Sequence, residues 1–168
     1  YHVMGVTQAA GLSLKWFRDN FCKEEIDIAG TKNADPYMIM DEMAEKTGIG
    51  AGGLLFLPYL MGERSPHLDP LCSGLFFGIT PSHTKAHFIR SILEGVAYSL
   101  KDSISILRED MGIEVNQVRV SGGGAKSSLW KSIQADVFES DIATVHNSEG
   151  PALGAAILGC LLYTSPSP

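Results

Sequence analysis

Three consecutive glycines, Gly122-Gly123-Gly124, stand between an alternating segment, Val118-Arg119-Val120-Ser121, and a stretch from Lys126 to Phe138 that reads as a helix capped by Ser127 or Ser128. Glycine lacks a Cβ, accepts positive φ and lets a ligand approach the backbone, while the first N–H groups of a helix have no intrahelical partner. A strand, a glycine turn and a helix start in that order suit phosphate oxygens or the edge of a base, so a nucleotide is the natural guest. A side chain at Gly123 or Gly124 is then expected to obstruct the ligand more than the fold. A glycine triplet alone is more often a tight turn without a ligand. The triplet forms neither a GxGxxG nor a GxxxxGK[ST] pattern, so by itself it assigns no dinucleotide or P-loop site.

Two further segments could carry chemistry. In Glu149-Gly150-Pro151-Ala152-Leu153-Gly154-Ala155-Ala156 a glycine turn feeds very small residues, which either pack a helix tightly on a sheet or leave room for an adenosine. The polar loop from Gly62 to Pro70 gathers Glu63, Arg64, His67 and Asp69 between two apolar runs. Such a set can supply an acid, a base and a guanidinium. It can equally be solvated charge, or an internal Arg-carboxylate tie that stiffens the loop. His83 and His87 are spaced i, i+4 without a third ligand nearby, and Cys22, Cys72 and Cys160 lie outside any CxxC spacing, so no metal site is expected.

The elements that must position these groups alternate between strand and helix patterns, which suggests an α/β domain. Tyr1 to Thr7 reads as a strand, and Ala9 to Phe21 as an amphipathic helix with Leu14, Phe17 and Phe21 at helical spacing. Asp35-Pro36 opens a second helix with Ile39, Met43 and Ala44 as its apolar stripe, and Gly50 to Gly53 ends that unit. Leu54 to Leu60 and Leu75 to Ile79 read as strands flanking the polar loop. From Thr84 to Asp110 the apolar positions fall at steps of three and four, the mark of one long helix, with Gly112 as its stop. Gln117 to Ser121 and Ile142 to Val145 are expected strands, and Pro151 starts a last helix. Thr164 to Pro168 cannot prolong that helix, because proline removes a donor and clashes with the preceding turn; this tail is expected to be non-native.

The 168 residues suffice for one domain with its own core. A net charge of -6 argues against a sequence-independent grip on nucleic acid or an anionic membrane. The longest apolar runs, Ala51 to Gly62 and Ala152 to Tyr163, fall short of the roughly 20 residues a spanning helix needs. Three scattered cysteines suit the thiols of a reducing cytosol, so a cytoplasmic setting is expected.

Taken in order, five motifs resemble the C-terminal domain of the FGGY carbohydrate kinases: Leu57-Pro58-Tyr59-Leu60-Met61-Gly62-Glu63-Arg64-Ser65-Pro66-His67, the run Gly74 to Ile79, Leu93-Glu94-Gly95, Gly122-Gly123-Gly124-Ala125-Lys126-Ser127, and Glu149-Gly150-Pro151-Ala152-Leu153-Gly154. The segment Gly74 to Glu94 is also similar to that family's second signature pattern. The loop from Gly62 to His67 is most similar to members that act on D-xylulose.

The resemblance implies a ribonuclease-H-like domain of the actin-like ATPase and hexokinase superfamily, here residues 1–163, as the C-terminal half of a two-domain kinase. It implies that Gly122, Gly123, Gly124, Ala125 and Lys126 contact adenosine, that Leu129 lies near the adenine, and that Gly11 approaches the nucleotide phosphates. It places no catalytic residue on this sequence, since the family's catalytic aspartate, its phosphate loop and most sugar contacts lie in the first domain. Mg²⁺ is then held mainly through the nucleotide and that domain. The implied reaction moves the γ-phosphoryl group of ATP to a ketopentose hydroxyl, that of D-xylulose, releasing ADP. A homodimer is compatible with it. Kinases of glycerol, gluconate or ribulose stay open as alternatives, as does an actin-like or chaperone-like ATPase of the same superfamily.

Overall fold

The computed structural model of the chain describes residues 2–145 and 150–164. Its centre is a long helix, α4 (Lys85–Ser105), prolonged by a π turn through Ile106–Asp110, as the apolar spacing anticipates. Ile89, Ile92, Leu93, Val96 and Ala97 are buried along it. A helix that buries residues on every side must be enclosed, and α4 packs against α1 (Ala10–Phe21), α3 (Pro36–Glu45), α5 (Ser128–Phe138) and β1 (Leu55–Leu57). Thr84 and His87 close a capping box at its start. Gly95 lets β1 lie directly on α4, because a Cβ there would strike the Phe56 carbonyl.

β1 pairs antiparallel with β2 (Leu75–Phe77), and β3 (Gln117–Val120) pairs parallel with β4 (Asp141–Thr144). The crossover between β3 and β4 is α5, a compact strand-helix-strand unit. Arg108 in the π turn locks this unit by donating to the carbonyls of Val115 and Phe138 at 2.7 and 2.8 Å. α3 begins as anticipated: Pro36 sits in its first turn and the Asp35 carboxylate accepts from Tyr37 N at 3.0 Å. Its buried residues are Met40 and Ala44, so the stripe runs one residue away from Ile39 and Met43.

Several expectations need correction. His2–Thr7 form no strand, because no strand lies beside them to share a ladder. A helix absent from the sequence reading, α2 (Lys23–Lys32), follows α1 directly; only Glu25 and Ala29 are buried in it, too few to leave an apolar stripe. The strands around the polar loop shorten to three residues each. The last helix, α6 (Gly150–Thr164), runs through Thr164, one residue further than expected; residues 165–168 and 146–149, the latter with the Glu149 end of the second glycine turn, lie outside the described residues. Among the described residues no helix is long and apolar enough to cross a membrane.

Candidate functional site

The triple-glycine turn follows β3. Gly122 takes φ 81° and ψ -167°, a region closed to residues with a Cβ, and Gly123–Lys126 then wind one 3₁₀ turn. The Ser127 hydroxyl caps α5 by accepting from Trp130 N at 2.9 Å. Trp130 is the hinge of the arrangement: its indole N–H donates to the Leu93 carbonyl of α4 at 3.1 Å, and its benzo ring lies against Gly124. The strand-turn-helix unit is thereby fastened to the central helix.

Between this turn and the helices lies a cavity of about 300 Å³, at the small end of the range for ligand sites. Gly11 and Leu14 of α1, with Tyr37, Met38 and Asp41 of α3, form one wall; Gly123, Gly124, Lys126, Ser127 and Trp130 form the opposite one. Ile92, Leu93 and Val96 of α4 make the floor. A Cβ built on Gly11 or Gly123 meets nothing within 4 Å, so both glycines border open space. Gly124 differs, since a Cβ there would fall onto the Trp130 ring. Its missing side chain serves the packing of Trp130, which corrects the expectation that a side chain at Gly124 mainly obstructs a ligand.

Of the residues singled out from the sequence, Gly11, Gly123, Gly124 and Lys126 meet at this cavity, although more than 100 positions separate the first from the others. Gly122, Ala125 and Leu129 are not among its lining residues. Gly122 shapes the turn and Leu129 packs against the core. The small-residue helix α6 supplies none of the described lining.

Sequence reasoning missed Tyr37, Met38, Asp41 and Trp130. Asp41 could have been noticed as an acid set beside the buried Met40 and Ala44 on the face that α3 turns inward. Its Oδ1 is buried without a hydrogen-bond partner. Burial pushes the Asp41 carboxyl above the usual carboxylate range, against an opposing pull from the Ser127 hydroxyl.

The polar loop holds a surprise in its pairing. Glu63 is buried, Arg64 is exposed, and none of the salt bridges among the described residues involves Arg64. Glu63 accepts instead from the Thr7 hydroxyl at 2.8 Å and from Arg64 N at 2.7 Å. The buried Arg-carboxylate pair is Arg90–Glu94 on α4, at 2.6 Å, and Glu94 also accepts from Gly50 N at 2.9 Å. His83 and His87 both engage Thr residues, Thr80 and Thr84. Among the described residues no three His, Cys, Asp or Glu come together to hold a metal ion.

Residues 1–163 match a family described as the FGGY family of carbohydrate kinases, C-terminal domain. The chain is 46% identical over 158 residues to a xylulose kinase of Staphylococcus epidermidis (strain ATCC 12228 / FDA PCI 1200), covering 94% of this chain and 30% of that protein. It is 43% identical over 155 residues to a gluconokinase of Bacillus licheniformis, covering 92% of this chain and 30% of that one. Among solved structures it superposes on the xylulose kinase of Rhodospirillum rubrum with a TM-score of 0.78 at 31% identity, covering 98% of this chain and 31% of the other. The chain thus spans about 30% of the length of the curated relatives it matches, less than the half expected from its sequence.

Proposed function

Since the chain belongs to the FGGY family of carbohydrate kinases, as its C-terminal domain, we propose that it forms the nucleotide-holding side of an ATP-dependent sugar kinase and that the cavity beside Gly123 receives the adenosine of ATP or ADP. The carrying observation is the convergence of Gly11, Gly123, Gly124 and Lys126 on one cavity, with open space in front of Gly11 and Gly123 where a side chain would otherwise intrude. A flat base fits such a slot, walled by Tyr37, Met38 and Trp130 and floored by aliphatic residues. Lys126 at the rim offers a positive charge to phosphate oxygens.

Bound Mg-ATP supplies the phosphoryl group. Phosphoryl transfer depends mainly on positioning and charge neutralisation, so a domain that only holds and orients the nucleotide contributes directly to the rate. Gly123 admits the ligand to the backbone, Trp130 ties the turn to α4, and α1 and α3 close the far wall. The reading assigns Mg²⁺ to the nucleotide phosphates, and the catalytic base and most sugar contacts to another part of the whole protein.

We take D-xylulose as the acceptor, with its 5-hydroxyl as the phosphorylated group, supported by the Gly62–His67 loop and by the similarity to a xylulose kinase. Gluconate is the second reading, favoured by the nearly equal identity to a gluconokinase. A coupled assay that follows ADP release from the intact kinase with D-xylulose, gluconate, glycerol and D-ribulose tests this. The expected result is D-xylulose-dependent turnover far above the others. ADP release that does not depend on any sugar would contradict the kinase reading.

A further inference from the structure

The start of α1 is not secured by its own sequence. Its cap residue is Ala9, which makes no side-chain cap, and its first turn carries no acidic residue. Helix starts favour a polar cap and a negative charge nearby, and alanine is among the poorest caps. The fixation comes from a loop remote in sequence: Gln8 N, at the residue before the cap, donates to Glu63 Oε1 at 3.3 Å. Glu63 Oε2 accepts from the Thr7 hydroxyl at 2.8 Å, and Oε1 also accepts from Arg64 N at 2.7 Å. Glu63 is 3% exposed, so this is a buried carboxylate satisfied by three donors with no cation among them.

The contact continues to either side. The Thr7 hydroxyl lies 3.4 Å from the Ser99 hydroxyl of α4, and Ser65 N donates to the Val6 carbonyl at 3.0 Å. Across the loop, Glu63 N donates to the Asp69 carbonyl at 2.8 Å. The loop therefore clamps residues 6–8 against α4, and immediately beyond the clamp Ala10 and Gly11 line the cavity.

We infer that Glu63 is a positioning residue for nucleotide binding, which from the polar loop sets the start of α1 and thereby the place of Gly11 at the cavity wall. This rests on the reading of the cavity as the nucleotide site. It joins two regions that the sequence keeps apart. Arg64, exposed beside it, takes part only through its backbone N–H.

The test is an NMR titration of the 168-residue chain with ADP, repeated on Glu63→Gln, Thr7→Val, Thr7→Ser and Arg64→Met, with amide exchange at Ser13 and thermal unfolding measured on each. Ser13 N makes the first bond of α1, to the Ala9 carbonyl. Glu63→Gln and Thr7→Val should raise the ADP Kd about tenfold, the size expected when a charge-assisted hydrogen bond is lost, and should speed exchange at Ser13. Thr7→Ser should restore both, and Arg64→Met should match the unsubstituted chain. A lower Tm with unchanged Kd per folded molecule and unchanged Ser13 exchange would overturn the inference. If Glu63→Gln does not fold, Thr7→Val decides by the same readouts. ADP shifts in the unsubstituted chain that bypass Gly11 and the Trp130 indole would remove the nucleotide reading and this inference with it, whereas equal binding by all variants would remove the inference alone.

Discussion

Gly124 and the benzo ring of Trp130 are in such close contact that no methyl group fits between them, while the same indole donates to the Leu93 carbonyl at 3.1 Å. The contact separates two glycines that look equivalent in sequence. Gly124→Ala must push Trp130 off its hydrogen bond or bend the turn, and overpacking of this kind costs about 1–3 kcal/mol. Gly123→Ala meets open space and should leave the Tm of the ligand-free chain within about 2 °C, since surface changes of this kind stay near ±0.5 kcal/mol. Thermal unfolding of the two variants side by side checks this. Equal destabilisation by both would mean that the turn has no open side.

Arg90 and Glu94 form a buried pair at 2.6 Å, and Glu94 also accepts from Gly50 N, which fastens the glycine turn before β1 to α4. Glu94→Ala leaves a buried guanidinium and an amide without their acceptor. Losing one member of such a pair typically costs about 3–5 kcal/mol. Replacing both by methionine should cost clearly less, because no charge is stranded. Urea unfolding of the single and double variants gives the comparison, and a double variant weaker than Glu94→Ala would contradict the role assigned to the pair.

Asp41 makes stability depend on pH in a direction that can be worked out. Burial raises its folded-state pKa, so the fold prefers the protonated carboxyl. That preference is fully present below the unfolded pKa, about 3.9, and is lost as pH rises through the folded value. Above that value the ionised Asp41 burdens the fold. Asp41→Asn should raise the Tm at pH 7, and the gain should shrink towards zero as the pH falls below about 4. A gain that grows in acid would show that the carboxylate is stabilised where it sits.

Leu55 and Leu57 of β1 and Leu75 and Phe77 of β2 stand on one exposed face of the hairpin, in register as Leu55–Phe77 and Leu57–Leu75. Exposed apolar surface of this kind favours association. The chain on its own should bind ADP only weakly, associate at high concentration and show no measurable D-xylulose phosphorylation, because nucleotide closure and phosphate neutralisation need a second wall. Light scattering and a coupled assay on these 168 residues test both halves. Robust phosphorylation would mean that the catalytic residues lie within this chain.

The α/β class was legible because its strongest signals are local: the apolar spacing along α4, the Asp35-Pro36 cap of α3 and the strand, glycine turn and Ser127 cap before α5; the ribonuclease-H-like fold was implied only by the resemblance to the FGGY carbohydrate kinases. α2 was not, because only Glu25 and Ala29 face the interior and its helical pattern carries little apolar weight. His2–Thr7 look like a strand by residue type, but a strand exists only with a neighbour to pair with. At the site, Gly11, Gly123, Gly124 and Lys126 could be named in advance, whereas Asp41 and Trp130 could not, since their role depends on which helices meet there. Leu129 and Trp130 are adjacent on α5, and only the packing of that helix decides which of them turns to the cavity.

The central claim, that the cavity beside Gly123 is the nucleotide site, is tested most directly by titrating ADP into the chain with and without Gly123→Val while following the NMR signals of Gly11, Asp41 and the Trp130 indole. The reading predicts saturable shifts at all three in the unsubstituted chain and their loss in Gly123→Val, which should keep a ligand-free Tm close to that of the parent. Shifts confined to residues elsewhere, or ADP affinity unchanged by a valine at Gly123, would contradict it.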